Sequence, residues 1–203
     1  SLGLVGSEMC IRDSSYNNLL ELFFDQYEKQ DKNNIFLINL GNPKHKLSWE
    51  KTYLLVNHLS NQISKDIKLG DRCVLISENR PEWMISDLAI MLAGGISVPS
   101  YTTYTTKDYE YIIKDCEPSV LIVSNNTQFN KIKDILDYKK IKKIISFDRL
   151  ENLKFQNYLC IEDIINKKDG FEIFDNEVSL KRSDPACIIS VSYTHLRAHE
   201  TER

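Results

Sequence analysis

The sequence of 203 residues has no apolar run near the roughly 20 residues that a membrane-spanning helix requires, and its start lacks the basic segment and apolar stretch of a signal peptide. We therefore expect a soluble protein. The chain also lacks a face or tail rich in lysine and arginine, since 26 basic residues stand against 29 acidic ones and the formal net charge is -3. This balance gives nucleic acid binding no support.

Cysteine is sparse, and no two cysteines have CxxC spacing. The five are Cys10, Cys73, Cys116, Cys160 and Cys187. Scattered thiols favour a reducing compartment over a disulfide framework, so we expect a cytoplasmic location. Cys73 and Cys187 lie in apolar runs and are predicted to be inert core residues.

The common catalytic motifs are missing as well. The sequence has no GxSxG, HExxH or GxxxxGK, and no GxGxxG after an apolar run. Acidic pairs such as Asp108 and Glu110 have the spacing of a helix surface rather than that of an acid–base pair. We predict no catalytic residue, no cofactor-binding residue and no metal-binding residue in this chain.

The DNA that encodes the two ends of the chain can be reverse complementary, although the two peptides do not resemble each other. Residues 4–13 read LVGSEMCIRD and residues 191–200 read VSYTHLRAHE. Complementary codons exist for all ten antiparallel pairs, for example ATG for Met9 with CAT for His195. The pattern resembles a sequencing adapter read through on both strands.

This pattern predicts which residues are native. We expect residues 1–14 and 190–203 to be adapter-derived and residues 15–189 to be the native insert, still weakly acidic. His195 and His199 have the i, i+4 spacing of two metal ligands on one helix face, but we interpret them as translated adapter. His45 and His58 remain, too few for a histidine metal site.

Apolar runs of strand length alternate with helical patterns along the insert. An apolar stripe predicts a first helix from Ser15, and residues 35–40 and 46–49 predict a short antiparallel pair. Ser48 is placed to cap a second helix, which residues 69–71 are expected to close. The further predicted elements are strands at 72–77, 96–99, 120–124 and 144–147, a helix begun by Pro81, one capped by Thr105 or Thr106, and one near 129–138.

Strands that alternate with amphipathic helices predict the α/β class, with a mainly parallel sheet and helices on its faces. Trp83, Leu88, Ile96 and Val98 are expected to pack helix on sheet. The basic run KKIKK at residues 139–143 is interpreted as a solvated junction between a helix and a strand.

Four stretches together resemble the AMP-forming acyl-CoA synthetases of the adenylate-forming superfamily. LSW at 47–49 is similar to the opening strand of that family, and residues 70–101, GDRCVLISENRPEWMISDLAIMLAGGISVPSY, to its second core motif. ENRPEW and YTTYTTKDYEYIIKDC are most similar to the long-chain fatty acid branch, and RSDPACII at 182–189 is similar to the strand before the phosphate loop of the family. The resemblance covers the whole insert and implies an incomplete N-terminal part of that fold.

The resemblance also implies the activity of the parent enzyme. A fatty acid, ATP and coenzyme A would yield acyl-CoA, AMP and pyrophosphate through an acyl adenylate, with Mg²⁺, in a cytosolic enzyme with peripheral membrane contact through its substrate. None of the family's site residues is assigned here, because they would lie beyond the stretch that resembles the family: the phosphate loop, an acidic residue for magnesium, an aspartate for the ribose and the catalytic lysine. We therefore expect this chain to bind ATP, Mg²⁺ and CoA poorly. Two alternatives stay open: a ligase for another carboxylic acid, and a noncatalytic α/β interaction module ending near Ile189.

Overall fold

The computed structural model describes residues 15–166, 170–174 and 180–190. The predicted adapter residues 1–14 and 191–203 lie outside this described part, as do Cys10, His195 and His199. In chain order the elements are α1 (Leu19–Lys29), β1 (Ile35–Ile38), β2 (Lys46–Ser48), α2 (Trp49–Ser64), β3 (Arg72–Ile76), α3 (Pro81–Leu92), β4 (Ile96–Ser100), α4 (Thr106–Cys116), β5 (Val120–Val123), α5 (Asn126–Ile132), β6 (Lys143–Ser146), β7 (Tyr158–Cys160) and α6 (Ile161–Ile165).

Five strands form one parallel sheet in the order β4-β3-β5-β6-β7, and β1 and β2 form a separate antiparallel pair. The central strands are buried on both sides because their side chains alternate between two apolar layers. Cys73 and Leu75 of β3 pack with α1, α2, α3 and α6, whereas Val74 and Ile76 pack with α4 and α5. The predicted α/β class with a parallel sheet is therefore confirmed.

Side-chain caps fix where several helices begin. The side chains of Asn18, Ser48, Thr105 and Asn125 each accept a hydrogen bond from a backbone N–H in the first turn of the following helix. At α4 the cap is reciprocal, because the Asp108 carboxylate also accepts from the Thr105 backbone N–H at 2.8 Å. The predicted cap at Ser48 and the start of α3 at Pro81 are both confirmed.

Two predictions of helix ends are wrong. Helix α2 ends at Ser64, and Gly70, with φ +82°, lies in the later turn into β3 instead of capping the helix. Helix α5 ends at Ile132 rather than near residue 138. Leu88 and Val98 both pack helix on sheet as predicted, Leu88 in the layer of α1, α2, α3 and α6 and Val98 in the layer of α4 and α5 on the other face.

The basic run at 139–143 is only partly solvated. Lys143 is the first residue of β6 and is 4% exposed. Its ammonium group lies 2.5 Å from the Asp66 carboxylate and donates to the Gln62 carbonyl at 2.8 Å, while Asn157 donates to the other Asp66 oxygen at 2.9 Å. A buried charge needs such partners, so the last lysine of the run fastens β6 to the end of α2.

A short stretch near the end of the described chain lies along the outer edge of β4. The Ser97 N–H donates to the Ala186 carbonyl at 3.1 Å, and the Ile188 N–H donates to the Ser97 carbonyl at 2.8 Å. The pairing of Ser97 with Cys187 is parallel. The sheet thus gains the start of a further parallel strand beyond β4.

Candidate functional site

The topology places one crevice at the carboxyl edge of the sheet. β3 leads to β4 through α3 on one face, whereas its neighbour β5 leads to β6 through α5 on the other face. Where adjacent parallel strands send the chain to opposite faces, a gap opens beyond their carboxyl ends, and open α/β sheets bind ligands there. We name the side chains around this gap the carboxyl-edge cluster: Ser77, Glu78, Arg80, Ser124, Gln128 and Asp148.

Glu78 supplies the acceptor group of this cluster. It is exposed, and its Oε1 accepts a hydrogen bond from Nε2 of the buried Gln128 at 2.9 Å. Burial raises the pKa of Glu78, but the nearby Ser124 hydroxyl, the hydrogen bond from Gln128 and the charge of Arg80 more than offset it and leave the pKa below its ordinary value. Glu78 is therefore ionised at neutral pH.

Arg80 joins the end of β3 to the end of β6. Its guanidinium donates two hydrogen bonds to the Asp148 carboxylate, at 2.8 and 3.0 Å, and also contacts the buried Glu82 carboxylate at 3.3 Å. Burial lowers the pKa of Arg80, but these two carboxylates dominate and raise it above the ordinary value. The fork geometry fixes the loop between β3 and α3 and leaves Arg80 committed to internal partners.

Tyr109 closes the cluster on the α4 side. Its hydroxyl donates to the Tyr101 carbonyl at 2.7 Å, and burial together with the charge of Glu78 raises the pKa of Tyr109 to about 12. A neutral phenol that is already bonded holds the loop between β4 and α4 in place. We assign it no part in proton transfer.

The described residues contain no preassembled cluster of metal ligands. Within them, no three His, Cys, Asp or Glu side chains come together as metal ligands. The N-termini of α1, α2, α4 and α5 are occupied by their own capping side chains, whereas α3, which begins at the carboxyl-edge cluster, has no side-chain cap. The carboxyl-edge cluster forms one wall of a crevice with an exposed carboxylate, that of Glu78.

A cavity of about 270 Å³ lies at the opposite, amino edge of the sheet. Its apolar wall comes from the start of α1, the end of α3 and the stretch before β4, and residues 180–186 cross it. It contains none of the carboxyl-edge residues, because the two regions lie at opposite ends of the parallel strands.

The cysteines divide by burial. Cys73, Cys116 and Cys160 are buried, and burial raises the pKa of Cys73 to about 12 and that of Cys116 to about 11. The predicted inert core position is confirmed for Cys73. For Cys187 it is wrong, since this residue is exposed on the stretch that borders β4.

His45 and His58 lie apart, and each contacts a group close to it in the fold. His45 Nδ1 lies 3.6 Å from the Glu82 carboxylate, and His58 Nδ1 accepts a hydrogen bond from the Glu172 N–H at 3.2 Å.

Sequence patterns did not reveal the carboxyl-edge cluster. A usable signal was present, because polar residues directly follow three buried strands: Ser77 and Glu78 after β3, Ser124 after β5 and Asp148 close after β6. What was missing was the strand order, which alone makes these loops neighbours.

Comparison with known proteins gives a consistent result. The family model described as "AMP-binding enzyme" matches residues 23–194. The chain is 26% identical over 155 residues to a long-chain-fatty-acid–CoA ligase, ACSBG1, of Rattus norvegicus, covering 72% of this chain and 22% of the relative. It is 30% identical over 156 residues to another long-chain-fatty-acid–CoA ligase, ACSBG2, of Xenopus laevis. That match covers 73% of this chain and 21% of the relative. The chain spans about a fifth of the length of these relatives.

Solved structures show the same fold. Coronafacic acid ligase from Pectobacterium brasiliense matches with a TM-score of 0.70 at 20% identity, covering 88% of this chain and 34% of that one. An acyl-CoA synthetase from Brucella canis matches with a TM-score of 0.65 at 19% identity, covering 83% and 30%. At these identities the likeness concerns the fold.

Proposed function

This chain belongs to the AMP-binding enzyme family, and from that premise we propose that residues 15–189 are the N-terminal portion of a long-chain fatty acid CoA ligase. The observation that carries the proposal is the family match over residues 23–194, joined to relatives that are named as long-chain-fatty-acid–CoA ligases. The parent would use ATP, Mg²⁺ and coenzyme A to convert a fatty acid into its thioester.

We assign this portion a scaffolding role. Charge stabilisation at phosphorus requires a metal, a lysine or loop donors aimed at the reacting atoms, and the carboxyl-edge cluster offers an acceptor and an internally paired arginine instead. We therefore expect no acyl-CoA formation by the 203-residue chain alone. Its proposed contribution is one wall of the crevice and the sheet that supports it.

The first experiment is to resequence the source gene on both sides of the insert. We expect a continuous reading frame past the codon for Ile189 that encodes a Ser/Thr/Gly-rich loop followed by Pro-Lys-Gly. We also expect the codons for residues 1–14 and 190–203 to be absent from the gene. A stop codon directly after Ile189, or both termini inside an uninterrupted natural gene, would contradict the proposal.

The second experiment compares the 203-residue chain with the complete parent in an assay for acyl-CoA formation from palmitate. We expect product from the parent and none from the shorter chain, whose folded state circular dichroism would check. A parent that uses only short or aromatic acids would instead be a ligase for another carboxylic acid. Product formation by the 203-residue chain would refute its assignment as an inactive portion.

A further inference from the structure

A cavity of about 480 Å³, which we name the α5 cavity, lies between α5 and the loop that follows β6. One wall is a single face of α5 and its C-cap, because Asn126, Phe129, Asn130 and Lys133 recur at three- and four-residue spacing. The facing wall is formed by residues 151–154. The volume lies within the roughly 300–1,000 Å³ that is typical of small-molecule sites. Like every helix that the structure describes, α5 is not long and apolar enough to cross a membrane.

Hydrogen bonds hold the two walls of the α5 cavity in place. The Asn126 side chain donates to the Arg149 carbonyl at 3.3 Å and accepts from the Glu151 N–H at 3.0 Å, which ties α5 to the facing loop. The Tyr138 hydroxyl donates to the Lys133 carbonyl at 3.0 Å and so fixes the segment after α5. Because the walls are already ordered, a ligand that enters between them pays little further entropy for ordering them.

Most of the polar side chains that line the α5 cavity have no partner in the part of the chain that the structure describes. They are exposed, and none of them makes a side-chain hydrogen bond or an ion pair with another described residue. These side chains are Asn130, Lys133, Asp134, Glu151, Asn152 and Lys154. Their donors and acceptors are therefore available to a ligand.

The charges of this lining cancel, since Lys133 and Lys154 stand against Asp134 and Glu151. A phosphate ester or a polyamine would meet as many like charges as opposite ones. The ammonium, carboxylate and amide groups together supply both donors and acceptors, and a hydroxyl group suits such a mixture because it donates and accepts. The lining therefore favours a neutral ligand that carries many hydroxyl groups.

Aromatic rings give the α5 cavity an apolar surface as well. Phe129 is buried, and Tyr138 is 41% exposed, with its ring centroid 6.0 Å from that of Phe155. Burial and the charge of Asp134 raise the pKa of Tyr138, so its phenol is uncharged at neutral pH. An exposed aromatic face can pack against the C–H groups of a sugar ring, while the hydroxyls at the edge of that ring reach the polar lining.

We propose that the α5 cavity binds a neutral mono- or disaccharide. The sugar ring would lie against Tyr138, and its hydroxyls would reach Asn130 and Asp134. The inference goes beyond the proposed function and does not depend on it, because sugar binding and ligase activity are measured separately. Its lining includes no residue of the carboxyl-edge cluster, although α5 and the loop after β6 also carry Gln128 and Asp148 of that cluster.

The experiment is saturation-transfer-difference NMR of the 203-residue chain with maltose as the probe. We expect transfer to the sugar protons, and a titration gives the dissociation constant. Asn130→Ala should weaken binding about fivefold, as expected for the loss of one hydrogen bond. Tyr138→Ala should weaken it about tenfold, because it removes the apolar surface for the sugar ring. Glucose 6-phosphate should bind no more tightly than glucose, because the lining has no excess of positive charge.

Matched controls change the same residue types elsewhere. Asn33→Ala removes another exposed asparagine, and Tyr111→Ala removes a tyrosine that is 67% exposed, so neither should alter the dissociation constant. Circular dichroism of each variant checks that loss of binding is not loss of folding. The proposal is overturned if maltose shows no transfer, if glucose 6-phosphate binds clearly more tightly than glucose, or if the controls weaken binding as much as the cavity variants.

Discussion

Lys143 is a buried charge that joins β6 to the end of α2. Its side chain is 5% exposed and paired with Asp66, which is itself 20% exposed. Removing one partner of a buried pair leaves the other charge without compensation, so we expect Lys143→Ala to lower the free energy of unfolding by about 3 kcal/mol. Urea denaturation measures this change.

A neighbouring lysine provides the control for that variant. Lys139→Ala alters the same basic run at an exposed position, and we expect a change within about 0.5 kcal/mol. Equal losses from both variants would show that Lys143 is as solvated as the sequence pattern had indicated.

Because Cys73 is buried, we expect the free energy of unfolding to fall as the pH becomes alkaline. Burial holds the pKa of the folded thiol near 12, whereas an unfolded cysteine titrates near about 8.5. Between these values the folded chain keeps a proton that the unfolded chain loses, so stability is fully present below pH 8.5 and falls as pH rises, by about 1.4 kcal/mol per unit for this group.

The measurement is urea denaturation at several pH values between 8 and 10.5. We expect Cys73→Ala to reduce the slope of unfolding free energy against pH, whatever its effect on stability at neutral pH. Cys187→Ala, at an exposed position, should leave the slope as it is. An unchanged slope in Cys73→Ala would mean that this thiol does not retain its proton in the folded chain.

At the scale of elements, the start of α4 depends on the reciprocal cap between Thr105 and Asp108. Thr105→Ala removes an acceptor for the Asp108 N–H, and we expect it to destabilise the chain by about 1 kcal/mol. Hydrogen exchange should show the loss in the first turn of α4. Thr103→Ala, an exposed threonine in the preceding turn, should change neither quantity.

Element starts were easier to predict than element ends. Pro81, Ser48 and Thr105 each act within one helical turn, so the sequence alone locates the helices that they begin. The end of α2 has no comparable local cause: Gly70 adopts its positive φ, but in a turn that packing places after the helix. The basic run predicts a solvent-exposed Lys143, whereas the folded chain buries this lysine and places Asp66 beside it.

At the scale of the whole molecule, the proposed boundaries make a direct prediction. If residues 15–189 are the native insert, a chain trimmed to residues 15–190 should unfold at the same urea concentration as the 203-residue chain. We expect agreement within about 0.5 kcal/mol, since the removed residues were not selected with this fold. A clear loss of stability on trimming either end would argue that the removed segment belongs to the fold.

The fold class followed from alternation along the chain, but the candidate site did not. Arg80 and Asp148 meet across 68 positions of sequence, and Gln128 reaches Glu78 across 50. Such contacts depend on β5 inserting beside β3 on the side away from β4, which periodicity does not encode. The resemblance to acyl-CoA synthetases located the family before any of these contacts was known, and the family match confirms it.

The parallel pairing of Ala186 and Ile188 with Ser97 has a consequence for synthesis on the ribosome. The outer edge of β4 emerges with its backbone groups unpaired, and its partner follows only about 90 residues later. During that interval α4 to α6 are made, while an open edge of this kind is a template for pairing with other chains. A nascent chain that pauses between residues 100 and 186 would therefore carry an unpaired strand edge at β4, which a chaperone that shields strand edges would cover.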